Sequence, residues 1–273
     1  MPTFPIVING VFNAGARLTC GKNVIIDVAE EVIVGNDCHI GDNTYISGRR
    51  VKIGDHFYGY NWDNGLEIGR GRKDEPAAVL EVGDRCTFHD NRIDLSRPVT
   101  IGNDVGLSPE VTIYTHSYWM NPFRGFPLRY SPVSIGNGTI IGYRSTLVPG
   151  AHVGSGIVVG AGSIVCGRLT ESGVYGGNPA KLISTIREPS PGEQERIFYD
   201  LIHNYRESIL YRCISLQLVH KFPKVWVNHT EFDLKEQTLH GNEDEVTDDF
   251  RWFLFKHGVR IYTDRPFKSL PCR

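Results

Sequence analysis

From residue 135 the chain repeats itself every six residues, through Ile135, Ile141, Leu147, Val153, Val159 and Val165. Two places before the later five stand Thr139, Ser145, Ala151, Ile157 and Ser163, four of them small. Two shorter runs, Val34-Ile40-Ile46 and Ile101-Leu107-Ile113, keep the same period. Glycine follows an aliphatic residue again and again, as at Val34-Gly35, Ile53-Gly54, Val82-Gly83 and Ile141-Gly142, and 30 of the 273 residues are glycine. A period of six fits neither an amphipathic helix nor a hairpin sheet. It is the signature of an all-β solenoid, a parallel β-helix of hexapeptide repeats, in which three hexapeptides make one triangular coil. The aliphatic side chains fill the prism, the small ones fit where the walls converge, and Gly, Asn and Asp are expected to supply positive φ at the corners. Gly150, Gly154, Gly160 and Gly162 are expected at such corners. Each coil must stack on the next to be stable.

Composition narrows the setting. A net charge of -2, from 29 Lys and Arg against 31 Asp and Glu, argues against nucleic acid or any partner that needs a basic field. No basic, apolar leader opens the sequence and no apolar run reaches the length of a membrane span, so no transmembrane segment is expected. Six cysteines, at 20, 38, 86, 166, 213 and 272, form no CxxC pair. They point to a reducing, cytoplasmic setting and read as small buried hydrophobes, Cys166 included.

The period breaks in two places. Ile135 follows Ile113 by 22 positions where 6 would continue the lattice, so residues 117–134 form a protruding loop carrying Tyr118, Trp119, Phe123, Phe126 and Tyr130. Gly69 to Ala78, with Arg70, Arg72 and Lys73, forms a smaller bulge. Beyond Pro179 the repeat ends. Ser190-Pro191-Gly192-Glu193 opens an amphipathic helix to about Tyr211, Glu231 to Leu239 alternates like a strand, Thr247-Asp248-Asp249 caps a helix through Lys256, and Val259 to Tyr262 reads as a strand. The chain thus divides into a solenoid, 1–186, and a small C-terminal α+β appendage, 187–273.

Several segments resemble the hexapeptide-repeat acyltransferases, nearest to the galactoside and maltose O-acetyltransferases and to those of capsule and O-antigen synthesis. Val99 to His116 resembles that family's run into its catalytic histidine. Val133 to Gly150 and Val159-Gly-Ala-Gly-Ser-Ile-Val165 resemble its coenzyme-binding coils, and Tyr175-Gly-Gly-Asn-Pro-Ala-Lys181 its terminating motif. The resemblance implies a left-handed β-helix, a hand opposite to the usual crossover rule. It also implies a homotrimer with acetyl-CoA in a groove between subunits.

Acyl transfer to a hydroxyl needs a base near neutral pH, and histidine suits it. His116 stands at the end of a strict run, immediately before the aromatic loop; His89 is the second candidate. By resemblance, an asparagine one coil earlier orients the acceptor, which points to Asn91, and a backbone N–H at Tyr143 stabilises the oxyanion. Ala161 and Gly162 would admit the pantetheine arm, and Arg168 and Lys181 would meet the coenzyme phosphates. The acceptor site would include His89, Asn91, Tyr118 and Trp119. Ile140 and Tyr143 depart from the family, which often has Trp at the former and a small residue at the latter. The function expected is acetyl-CoA-dependent O-acetylation of a carbohydrate hydroxyl in surface-polysaccharide synthesis. The alternative is N-acylation of an amino or nucleotide sugar, or O-acetylation of a xenobiotic. No metal is expected, since the zinc enzymes of this fold need a close histidine pair, and histidines 39, 56, 89, 116 and 152 provide none.

Overall fold

Short parallel strands stack into three columns, one for each wall of a prism. The first column carries Glu67–Ile68, Arg92–Ile93, Thr112–Ile113, Thr146–Leu147 and Ile164–Val165; the second Val79–Val82, Val99–Ile101, Val133–Ile135, His152–Val153 and Arg168–Leu169. The third runs from Thr19–Cys20 through Thr87–Phe88, Gly106–Leu107 and Ile140–Ile141 to Gly173–Gly176, where Lys181–Thr185 closes it antiparallel. Two longer strands, Ile25–Val34 and Tyr45–Ile53, turn the corner between the first and second walls. The aliphatic residues of the six-residue period face inward: Ile113, Ile141, Leu147, Val153, Val159 and Val165 are fully buried. These facts come from a computed structural model that describes residues 7–60, 64–69, 72–265 and 267–270, in two compact units that meet at Ile186 and Arg187.

The corners differ from expectation in a way that explains the glycines. At the repeated aliphatic-Gly-X sequence, it is not the glycine that adopts positive φ but the residue two places on: Asp37, His56, Arg85, Asp104 and Arg144, then Gly138, Gly156 and Gly162. Gly154 and Gly160 are therefore not at left-handed positions. The glycine is required because the next coil presses on it. A Cβ at Gly102 would lie 2.3 Å from Asn137 Oδ1, and one at Gly54 2.3 Å from Asp84 Oδ1. Those oxygens accept from the backbone N–H that follows each glycine. Ala16 donates to Asn36, Asn36 to Asp55, Asp55 to Asp84, Asp84 to Asn103, Asn103 to Asn137, and Asn137 to Ser155. One amide ladder thus climbs a whole edge of the prism. The small inward residues are donors as well as fillers: Cys38, Cys86, Thr139 and Ser145 reach the carbonyls of Gly54, Gly102, Gly154 and Gly160. Burial pushes the Cys38 thiol up to about 11. Cys166, by contrast, is exposed, because it follows Val165 at a bend instead of pointing into the prism. Cys272 lies outside the described residues.

The expected loop is a hairpin. His116–Ser117 pairs antiparallel with Arg129–Tyr130, and a single 3-10 turn, Pro122–Arg124, sits between them. The chain rejoins the solenoid at Val133, two residues earlier than expected, because Val133 pairs in register with Val99. The Gly69–Ala78 segment is held by short turns, with Arg72 N–H on Gly69 C=O and Ala78 N–H on Glu75 C=O; Arg70 lies outside the described residues.

In the C-terminal unit, helix α1 (Pro191–Tyr211) starts at a Ser190–Glu193 capping box and buries Phe198, Ile202, Tyr205 and Ile209. A four-stranded antiparallel meander follows, from Leu218 to His240. Helix α2 (Glu245–Lys256) starts at a capping box of Asp244 and Thr247; of the expected Thr247-Asp248-Asp249, only Thr247 takes part in it. Those three side chains are buried, and Asp248 and Asp249 instead pair with Arg265 and Arg212. The expected strand at 259–262 is irregular chain: Ile261 is buried, but Val259 N–H bonds back to Leu254 C=O, outside any sheet.

Gly102→Ala is expected to lower stability by about 1–3 kcal/mol, the usual range for overpacking. Gly167, where an added Cβ meets nothing within 4 Å, should tolerate Ala to within about 0.5 kcal/mol. Urea unfolding midpoints of the two variants compare them directly.

Candidate active site

His116 is placed by two successive coils. Arg92–Ile93 lies under Thr112–Ile113 in register, so the residues leaving each strand, Asp94 below and Tyr114 to His116 above, share one corner. There Asp94 Oδ2 stands 2.6 Å from His116 Nδ1. Five donors converge on the Asp94 carboxylate: Thr115 N–H at 3.0 Å and its hydroxyl at 2.6 Å, Ser96 N–H at 3.2 Å and its hydroxyl at 2.9 Å, and the imidazole. Burial pushes the Asp94 carboxyl up, but the bonds from Thr115, His116 and Ser96 outweigh it and hold the group below the usual carboxylate range. An ionised Asp94 can only accept. The proton of a neutral His116 is therefore on Nδ1, and Nε2 carries the lone pair.

The imidazole is also clamped by rings. Tyr118 and Tyr130 lie 5.3 and 5.8 Å from it, centroid to centroid, and the Arg97 guanidinium covers Tyr130 at 4.7 Å. His116 opens onto a cleft of about 280 Å³, lined also by Glu67, Arg72, Arg92, Asp94, Thr112 and Tyr114. Beyond it the hairpin tip is bare, with Trp119 90 % and Phe123 98 % exposed.

The other residues singled out from the sequence scatter. Asn91 is fully buried and does not line the cleft; its amide accepts from His89 N–H and donates to Ser108 C=O, each at 2.8 Å. His89 lies against Tyr60, its Nδ1 3.1 Å from the Tyr60 carbonyl, and burial lowers its pKa. Tyr143 is at a different corner, its hydroxyl donating to Glu110 at 2.9 Å. Gly162 N–H bonds to Tyr143 C=O, and Ala161 and Gly162 are exposed beside it. In a parallel wall, residues that follow their strands and residues that precede them lie on opposite edges. His116 follows Thr112–Ile113, whereas Tyr143 precedes Thr146–Leu147 and Gly162 precedes Ile164–Val165. Arg168, exposed, sits on the second wall beside His152, and Lys181, also exposed, begins the closing strand. Among the described residues, no three His, Cys, Asp or Glu side chains gather as metal ligands.

Asp94 was not singled out from the sequence. Its signal is there: a carboxylate one coil before the histidine, at the position that stacks beneath Tyr114.

No protein-family model matches the chain. It is 36 % identical over 143 residues to the putative lipopolysaccharide biosynthesis O-acetyl transferase WbbJ of Escherichia coli (strain K12), a match covering 46 % of this chain and 69 % of that one. The putative acetyltransferase YJL218W of Saccharomyces cerevisiae is 36 % identical over 112 residues, 40 % of this chain and 57 % of the relative. The galactoside O-acetyltransferase of Escherichia coli is 35 % identical over 92 residues, 33 % of this chain and 45 % of the relative. The chain spans about half the length of most curated relatives it matches. A solved polysialic acid O-acetyltransferase, OatWY, superimposes with a TM-score of 0.49 at 17 % identity, over 68 % of this chain and 92 % of that one.

Asp94→Asn should lower turnover by about a hundredfold or more, since the amide can present its NH₂ to Nδ1 and turn the lone pair away from the cleft. It should also change acid stability with a defined sign. A depressed carboxyl pKa stabilises the fold above the ordinary carboxylate value of about 3.9, and that contribution fades as pH falls through the native pKa. The melting temperatures of wild type and variant should therefore differ at pH 7 and draw together as the pH falls below the ordinary carboxylate range, as calorimetry across that range will read.

Proposed function

This chain belongs to the hexapeptide-repeat acetyltransferase family, and on that footing we propose that it transfers an acetyl group from acetyl-CoA to a carbohydrate hydroxyl. The solenoid is accordingly a left-handed parallel β-helix. The observation that carries the reading is the 2.6 Å bond from His116 Nδ1 to Asp94, in a ring that lines an open cleft. Acetyl-CoA, when bound, supplies a thioester carbonyl open to attack. His116 Nε2 takes the hydroxyl proton as the acceptor oxygen attacks the carbonyl carbon, Asp94 steadies the imidazolium that forms, and as the C–S bond breaks the imidazolium returns the proton to the departing CoA thiolate. Proton transfer of this kind contributes about 10²–10⁴-fold. Tyr118 and Trp119 offer ring faces against which a sugar can stack.

A narrow donor arm fits the opposite edge of the wall. Ala161 presents only a methyl group, and at Gly162, with φ +68, even an added Cβ would meet nothing within 4 Å. Ala161, Gly162 and Tyr143 would hold the arm, with Arg168 and Lys181 exposed for its phosphates. Since Tyr143 and Gly162 flank one edge of the first wall and His116 the other, we read the working form as a homotrimer. In it the histidine corner of one subunit meets the Tyr143–Gly162 corner of the next. Cys20, Cys38, Cys86, Cys166 and Cys213 are all free, which supports a cytoplasmic setting, the place of surface-polysaccharide precursors. Among the described residues no helix is long and apolar enough to cross a membrane.

Free CoA released across a panel of sugars, oligosaccharides and amino sugars tests the reaction. Turnover should need a hydroxyl acceptor and fall about a hundredfold or more in His116→Ala. Retention of more than about a tenth of wild-type activity removes the general-base role, and turnover on amines alone points to N-acylation. For the assembly, light scattering should give three times the chain mass of 30.6 kDa; a fully active monomer refutes the shared site.

A further inference from the structure

The wall of the His116 cleft contains a cation whose near partners are all loose. Arg72 Nε is 3.5 Å from Asp94 Oδ1 and its Nη1 is 3.7 Å from Glu75 Oε1, both beyond the 2.7–3.2 Å of an N–H···O hydrogen bond. Asp94 is the nearer counter-ion, but its two oxygens already accept from Ser96, Thr115 and His116, so Arg72 makes no short bond to it. Glu75 is a surface carboxylate, its side chain 44 % exposed, and such a pair contributes little. Yet the Arg72 side chain is only 25 % exposed. A guanidinium that far from water, without a close acceptor among the described residues, is a poor structural element and a good anion receptor. Its neighbour Arg92, exposed, lines the same cleft and adds a second positive charge there. Arg72 is set there by its own turn bonds, its N–H on Gly69 C=O and its C=O accepting from Glu75 N–H.

We propose that Arg72 binds an anionic group carried by the acceptor, so that the substrate is an acidic saccharide whose carboxylate or phosphate docks on this guanidinium while its hydroxyl reaches His116. A planar guanidinium takes either group through two parallel N–H···O bonds. The step itself rests on the acetyl-transfer reading, but the binding does not, and the test separates them.

Titration calorimetry of His116→Ala protein with glucuronic acid, glucose 6-phosphate, glucose and CoA measures binding without turnover. Glucuronic acid or glucose 6-phosphate should bind more tightly than glucose, and whichever of the two binds identifies the anion as carboxylate or phosphate. Adding Arg72→Gln should weaken that binding about ten- to hundredfold, in line with a hydrogen bond to a charged group, and Arg72→Lys should restore part of it. In the enzyme with His116 intact, Arg72→Gln should lower the ratio of kcat/KM for acidic over neutral acceptors by the same factor. Equal binding of glucose and both acidic sugars overturns the proposal, and so does a loss confined to CoA, which would assign Arg72 to the donor phosphates. Arg72-dependent binding alongside turnover that ignores His116 would leave this proposal standing and refute only the general base.

Discussion

The amide ladder along one edge of the prism is the interaction on which the rest of the molecule depends. Parallel strands of two or three residues give each coil few backbone bonds to its neighbours. Each Asn or Asp oxygen adds one more, to the backbone N–H that follows a glycine of the coil below. The net gain per bond is about 0.5–1.5 kcal/mol, and the penalty for losing one is larger. The ladder also fixes the register. An Asn103 that bonds Asp84 N–H below while its own N–H bonds Asn137 above cannot slip by one residue without breaking both. The glycine before each rung is the space that the side chain of the next rung occupies.

That register makes the site. Asp94 and His116 belong to different coils, and neither would find the other if the stack shifted. The imidazole is held from the coil below by Asp94 and Ser96, and on its own coil by the returning Tyr130. The solenoid serves as a ruler on which groups distant in sequence are brought within hydrogen-bond reach. The base is rigid for the same reason that the prism is stable.

The sequence revealed the period readily, because a buried aliphatic every six residues leaves a regular trace. It also revealed the histidine and the point where the lattice breaks. What it hid depended on neighbours one coil away. Gly150 and Gly162 are left-handed as expected, but Gly154 and Gly160 are not, and Arg85 and Arg144 take such positions elsewhere, since the steric demand on the glycine after each aliphatic comes from the next coil. Asn91 carries the polar side chain of a site residue, yet its amide is taken up by backbone inside the prism. Asp94 sits 22 positions before its partner, a distance that means contact only once the coil length at that point is known. In the second unit, Thr247 and Asp248 looked like a cap because Ser, Thr and Asp favour such places. The N-cap is Asp244, with Thr247 closing its capping box from inside the helix, and Asp248 is left to pair with Arg265.

The hairpin has a root and a tip with opposite demands. Its root is His116 itself, whose main chain pairs with Tyr130, so the base is also a strand residue of the arm that reaches into solvent. Its tip, at Trp119 and Phe123, touches almost nothing. The arm can therefore be rewritten at its far end without moving the imidazole, whereas a change of one residue at its base would swing the ring away from Asp94. In such a molecule, what is recognised and how the proton moves can diverge independently, separated by less than half the length of one hairpin.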